Sequence, residues 1–276
     1  MILVTGATGN VGRPLVDLLV EAGAKVRAGT RDPQPNLPDG VEIEPSSTPS
    51  LSGVTAIFVN SRAVGTTLGP LIDRARAAGV RRVVALAAIN VDDPVEAQPS
   101  RYTGDRNKEV EAAAIDSGLE WVSLRPTIFG TNSIGLWAKQ IAGGDTVYGP
   151  YATASWSPID PRDVAGVAAR ALLGDDLLGR KIELTGPGSL TLREMVATIG
   201  SVIGRDLTYQ EIPPDQALRR FAEIGLPDGF GPAMLTMLAR NAVGPAPVTG
   251  EVERILSRPA TSFAEWVTDH KGAFRA

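Results

Sequence analysis

Three glycines near the start of the chain constrain its fold more than any other feature. The segment reads Val4-Thr5-Gly6-Ala7-Thr8-Gly9-Asn10-Val11-Gly12. It follows a short apolar run, Ile2–Thr5, and opens a stretch, Val11–Val20, with Val11, Leu15, Leu18 and Leu19 at helical spacing. In a strand–turn–helix unit each glycine has its own task. Gly6 permits the tight turn, Gly9 lets the backbone approach a pyrophosphate with no Cβ between them, and Gly12 lets the helix pack closely on the strand. The helix start offers free N–H groups and a partial positive charge to the same anion. Gly6, Thr8, Gly9, Asn10, Val11 and Gly12 are therefore candidates for holding a dinucleotide. The alternative is a structural turn with no ligand.

The rest of the first half alternates strands with helices. Strand signals fall at Lys25–Gly29, Val41–Glu44, Thr55–Val59, Arg82–Ala87 and Glu120–Leu124, and helix signals at Leu68–Ala78 and Tyr102–Asp116. Helices between short buried strands require parallel crossovers, which predicts an α/β fold of the Rossmann type, a doubly wound parallel sheet. The expected division is a dinucleotide-binding core over 1–130 and a small, mostly helical substrate lobe over 131–276, with parts of about 157–186 returning to the core. Lys181–Leu184 is the strand expected to return. Asp160 before Pro161 and the box Thr191-Leu192-Arg193-Glu194 mark helix starts, so Asp160 and Asp163 read as capping residues before they read as a catalytic pair.

Composition removes several chemistries. The chain has no cysteine, and its one histidine, His270, lies near the C-terminus and reads as a surface residue. Thiolate catalysis is thereby excluded, and neither a metal centre nor a Ser-His-Asp triad is expected. A net charge of −4 offers no field for nucleic acid. No apolar run approaches the ~20 residues of a membrane span, and the expectation is a cytoplasmic monomer or homodimer that binds neither nucleic acid nor membrane.

At the end of the second strand stand Gly29-Thr30-Arg31-Asp32. A carboxylate here holds the ribose hydroxyls of NAD, whereas a guanidinium pairs with the 2′-phosphate of NADP. Arg31 favours NADP(H). NAD(H) stays open, with Asp32 as the ribose ligand and Arg31 solvated.

At this point the chain resembles the atypical short-chain dehydrogenase/reductase superfamily, in its NmrA-like and quinone-reductase-like branch. The resemblance rests on Thr5–Gly12, on Lys108-Glu109-Val110-Glu111 followed by Ser117-Gly118-Leu119, and on Leu124-Arg125-Pro126-Thr127. Ser157-Pro158-Ile159-Asp160, Asp163-Val164-Ala165, Leu184-Thr185-Gly186 and the Phe263/Trp266 tail extend it over nearly the whole chain. It implies that Lys108 is the retained catalytic lysine, acting through the nicotinamide ribose. The alternative is an exposed helix lysine paired with Glu109 or Glu111. Asn60, Ser61 and Arg62 after the fourth strand, Ala87 after the fifth, and Pro126, Thr127 and Ile128 after the sixth join the expected cofactor contacts. Phe129, Asn132, Trp137, Tyr148, Tyr151 and Trp156 are the expected substrate contacts, the aromatics among them able to stack on a flat ring; the alternative, above all for Trp137 and Trp156, is ordinary lobe core.

The sequence departs from the superfamily at two of three catalytic positions. Ala87 and Ala88 stand where its serine is expected, and Gly104, four residues before Lys108, stands where its tyrosine is expected. Tyr102 lies about 240° around a helix from Lys108 and contributes only if the intervening segment is not helical. Loss of the acid matters unequally. Reducing a ketone makes an alkoxide, whose conjugate acid has a pKa of about 15.7. Reducing a quinone makes a phenolate-like oxygen with a pKa near ~10. The difference of roughly 6 units is worth about 8 kcal/mol of proton assistance. The expectation is an NAD(P)H-dependent reductase of a quinone-like or polycyclic aromatic substrate, of the kind found in secondary metabolism. The competing expectations are a non-catalytic NADP(H)-sensing regulator and a cofactor-using isomerase or dehydratase.

Overall fold

A computed structural model describes residues 1–275. In chain order the strands are β1 (Ile2–Thr5), β2 (Val26–Thr30), β3 (Glu42–Pro45), β4 (Ala56–Asn60), β5 (Arg82–Leu86), β6 (Glu120–Pro126), β7 (Thr146–Gly149), β8 (Ser155–Trp156), β9 (Lys181–Leu184), β10 (Leu190–Thr191) and β11 (Thr208–Glu211). Seven of them form one parallel sheet in the order β3-β2-β1-β4-β5-β6-β9. This is the doubly wound Rossmann arrangement that the alternating signals predict. The strand order reverses beside β1, and every strand of the sheet ends at the same edge, so ligand-binding loops collect there.

Strands β1, β4 and β5 are short, mostly apolar runs because both faces are covered, whereas β3 lies exposed at the sheet edge. On one face the helices Gly12–Glu21 and Pro161–Leu173 pack with Val4, Phe58, Val84, Val122 and Leu124 in one core. On the other, Leu68–Ala77 and Asn107–Ile115 pack with Leu3, Ile57, Val59, Val83 and Ala85. A third core fills the lobe, built on Trp137, Ile141, Trp156, Ile199, Phe263 and Trp266. The return strand β9 pairs with β6 as expected.

The expected helix Tyr102–Asp116 is in fact two. Pro99–Tyr102 ends, Thr103–Arg106 is irregular, and the second helix starts at Asn107. Gly104 has φ +105, a conformation L side chains rarely adopt, and it breaks an otherwise helix-forming run. Thr191 and Glu194 form the expected capping box, and Asp160 caps Pro161–Leu173 by accepting from the Arg162 amide at 2.7 Å. Asp163 does not cap. It is fully buried and accepts from the Thr261 amide at 2.8 Å, with Arg258 beside it. His270 is half-buried rather than on the surface, stacked on Trp266 with ring centroids 4.3 Å apart.

Candidate functional site

The glycine turn leaves β1 with Gly6 at φ +69, and the amides of Gly6 and Ala7 both donate to the Gly29 carbonyl. A Cβ at Gly12 would overlap the Gly6 carbonyl oxygen, so this glycine sets how closely the helix approaches the turn. At Gly9 a Cβ would meet only the Gly6 oxygen, at 3.3 Å, and otherwise enter open space. No side chain caps the helix Gly12–Glu21. Among the described residues the amides of Thr8, Asn10 and Val11 donate to no protein acceptor. Unpaired amides around an open space are what a pyrophosphate requires, so the residues present fit a dinucleotide. The Thr8 hydroxyl lies 3.2 Å from that of Thr30, and Asn10 Nδ2 donates to Thr131 Oγ1 at 3.2 Å, joining the turn to the segment after β6.

Beyond β2, Arg31 is exposed and has no ion-pair partner among the described residues. Asp32 instead accepts from the Gln34 amide at 2.9 Å, closing the loop on itself. The carboxylate that would hold a ribose is thus partly engaged locally, whereas the guanidinium is free.

Beyond β4, Asn60 accepts from the Arg62 amide at 3.0 Å and donates its own amide to Thr5 Oγ1 at 2.8 Å. Ser61 and Arg62 turn toward the broken helix. Ser61 Oγ accepts from the Arg106 amide at 2.9 Å, and Arg62 grips both carboxylate oxygens of Asp105, at 2.8 and 3.1 Å. These two side chains, expected among the cofactor contacts, hold protein.

Lys108 begins the helix that follows. It is exposed and has no ion pair among the described residues. Both expected carboxylate partners are taken. Glu109 pairs with Arg101 at 2.6 Å, and Glu111 lies beneath the helix against Arg125 of β6. Arg125 donates to both Glu111 oxygens, at 2.7 and 2.6 Å, and to Asp92 at 2.7 Å. Burial opposes the charge on Glu111, but Arg125 and the Ser123 hydroxyl outweigh it and hold the carboxyl below its ordinary range. The hydrogen bonds that Arg125 makes to Glu111, and then to Asp92, outweigh its burial and keep it firmly protonated. This network was not read from the sequence. Lys108 and Arg125 stand in separate motifs, and pairing across fourteen residues is visible only once β6 and the helix are stacked.

The segments after β5 and β6 lie side by side, with the Ala87 amide donating to the Leu124 carbonyl and the Ile89 amide to that of Pro126, at 2.8 and 2.9 Å. Pro126 is buried, whereas Thr127, Ile128 and Phe129 are half-buried. Phe129 bridges to Ile159, and Asn132 is exposed. Tyr148 is exposed with Arg220 over its ring, and Tyr151 is half-buried at φ +50, an uncommon conformation for a bulky residue. Trp137 and Trp156 correct the expectation. Each is 4% exposed within the lobe core, which leaves almost no ring face for a ligand. Tyr102 meets the geometric condition set for it, since the chain between it and Lys108 is not helical. Its ring nevertheless packs onto Gly229 and its hydroxyl points to the Glu96 carbonyl at 3.3 Å.

A family model described as NAD(P)H-binding matches residues 6–174. The chain belongs to this NAD(P)H-binding family. Its match begins at the first glycine of the turn and includes Lys108 and Arg125. Over 99% of both chains it is 34% identical to the (4-alkanoyl-5-oxo-2,5-dihydrofuran-3-yl)methyl phosphate reductase of Streptomyces griseus. It is 31% identical to the NAD(P)H azoreductase of Xenophilus azovorans, over the full length of both. Among solved structures, the NADPH complex of the quinone oxidoreductase QOR2 of Escherichia coli superposes with a TM-score of 0.80. That likeness, at 22% identity over 98% of this chain and 99% of the other, shows a shared fold. No helix among the described residues is long and apolar enough to cross a membrane.

Proposed function

We propose that the chain is an NAD(P)H-dependent reductase of quinone-like or other delocalised aromatic acceptors, with NADP(H) preferred, working in the cytoplasm as a monomer or homodimer. The observation that carries this reading is the absence of a side-chain acid at the superfamily positions. Ala87 and Ala88 follow β5, and Gly104 lies in a loop with φ +105. An acceptor whose new charge spreads over a ring needs that acid least. The names of the azoreductase and QOR2 relatives point the same way, since both act on delocalised electrophiles.

In this reading the bound cofactor supplies a hydride, two electrons and one proton's nucleus together. Thr8, Asn10 and Val11 hold the pyrophosphate by their amides, and Gly9 leaves room for it. Arg31 holds the 2′-phosphate. Lys108 hydrogen-bonds the nicotinamide ribose and adds positive potential near the developing oxyanion. Pro126, Thr127 and Ile128 flank the nicotinamide, with Phe129, Asn132 and Tyr151 on the acceptor side. The second proton of the hydroquinone comes from solvent, so the sum is quinone, NADPH and H⁺ to hydroquinone and NADP⁺. The test is NADPH oxidation with a naphthoquinone and with an azo dye, with the hydroquinone or amine product identified. Oxidation without reduced product would defeat the proposal.

A further inference from the structure

We propose that Arg62 and Asp105 are a positioning pair that fixes where Lys108 stands relative to the phosphate-binding turn. This rests on the role given to Lys108 above. Thr103–Arg106 separates two helices, and Gly104 at φ +105 leaves no continuous helical ladder across it. The start of the Lys108 helix therefore needs anchors from elsewhere. Some come from the preceding helix, where the Ser100 carbonyl accepts from the Asp105 amide at 3.0 Å and the Arg101 carbonyl from Arg106 Nη1 at 2.9 Å, and the others from the segment after β4. Ser61 Oγ accepts from the Arg106 amide at 2.9 Å. Arg62 Nε and Nη2 hold the two Asp105 oxygens in a fork, and Nη2 also donates to Thr103 Oγ1 at 3.1 Å.

The same segment borders the glycine turn. A Cβ at Gly6 would lie 3.2 Å from Ala63 Cβ and 3.3 Å from Asn60 Nδ2, and the Asn60 amide is bound to Thr5. Contact thus runs from Gly6 through Asn60 and Ala63 to Arg62, then to Asp105, and two residues further to the helix start at Asn107 and Lys108. The bidentate fork restricts both distance and angle, which a single point charge does not. The Arg62 side chain is 51% exposed, so the pair adds little to stability. Its value lies in geometry, and a misplacement of about 1 Å at a reacting site costs on the order of a hundredfold in rate.

The experiment compares wild type, Asp105→Asn, Arg62→Gln, Lys108→Met and the double variant Asp105→Asn/Lys108→Met. Turnover is measured with NADPH and a naphthoquinone, and thermal unfolding is measured without cofactor. Because the chain has only five lysines, reductive ¹³C-methylation gives a small set of NMR signals in which Lys108 is assigned by its absence from Lys108→Met. Asp105→Asn and Arg62→Gln are each expected to lower kcat about tenfold with unfolding unchanged. In both, the shift of the Lys108 signal on adding NADP⁺ is expected to shrink. In the Lys108→Met background, Asp105→Asn is expected to cost less than about twofold, because the two residues act through one another. Full turnover and an unaltered Lys108 shift in Asp105→Asn, beside a crippled Lys108→Met, would overturn the pair's role alone. Wild-type turnover in Lys108→Met would overturn the role of Lys108 as well.

Discussion

Glu111 stands one helical turn after Lys108, yet its carboxylate turns away from the lysine and into the sheet, 2.6 Å from Arg125 Nη2. Both members of the pair are 5% exposed. The lysine is left free at the helix start while the carboxylate pins the helix to β6, and through Asp92 the same guanidinium holds the loop after β5.

That arrangement predicts a large structural penalty for Glu111→Ala. Removing Glu111 leaves the buried Arg125 with only the exposed Asp92 carboxylate as counter-ion, at a cost approaching the roughly 3–5 kcal/mol of a broken buried pair. Urea unfolding measures it. A loss below about 1 kcal/mol would mean that Asp92 and water together compensate Arg125.

The same group gives a pH dependence. The Glu111 pKa is lower folded than unfolded, so the native state binds fewer protons at this site. The stabilisation is complete above the unfolded carboxylate value of about 4.3 and is lost as pH falls through the lower folded value. Acid unfolding of Glu111→Gln is therefore expected to show a shallower loss of stability below about pH 4.3 than wild type. Parallel curves would show that Glu111 does not carry the effect.

Much of this was legible in the sequence. Strands buried on both faces leave unbroken apolar runs, and glycines after helices mark their ends, so the sheet and its crossovers follow from pattern. The phosphate turn is legible because three glycines serve three separate steric needs. The break before Lys108 was missed because one glycine in a helix-forming run is ambiguous until its φ is known. Trp137 and Trp156 stay open between substrate contact and lobe core in the sequence, because an aromatic cluster in a lobe reads alike whether it faces a ligand or its own core. Ser61 and Arg62 were placed at the correct strand end, but the partners they reach lie over forty residues away.

The turn separates two glycine roles. Gly9→Val is expected to fold and to lose dinucleotide binding, because its side chain would enter the open space above the turn. Gly12→Ala is expected to lower stability itself, because its Cβ collides with the Gly6 backbone. Calorimetric titration with NADPH, beside thermal unfolding of each variant, distinguishes them. Undiminished NADPH affinity in folded Gly9→Val would remove the pyrophosphate from this turn.

Arg31→Ala is expected to weaken NADPH binding by about 1.5–3 kcal/mol, the range for a hydrogen bond to a charged group, and to leave NADH nearly unaffected. Equal losses for both cofactors would make Arg31 a structural residue and end the NADP preference.

The acceptor preference is the central claim, and the structure refines how to test it. A tyrosine introduced at Gly104 would sit in a loop at φ +105, so it is a poor means of restoring the missing acid. The direct measurement is kcat/KM for NADPH-dependent reduction across matched panels of quinones and isolated aliphatic ketones. Part of the roughly 8 kcal/mol difference in proton demand should survive as selectivity of at least about a hundredfold for quinones. Equal rates on both panels would show that another residue supplies the acid, with Asn132, Asp105 and Tyr102 the first to substitute. Tight NADPH binding with no oxidation by any acceptor would contradict the enzymatic account and leave a cofactor sensor in its place.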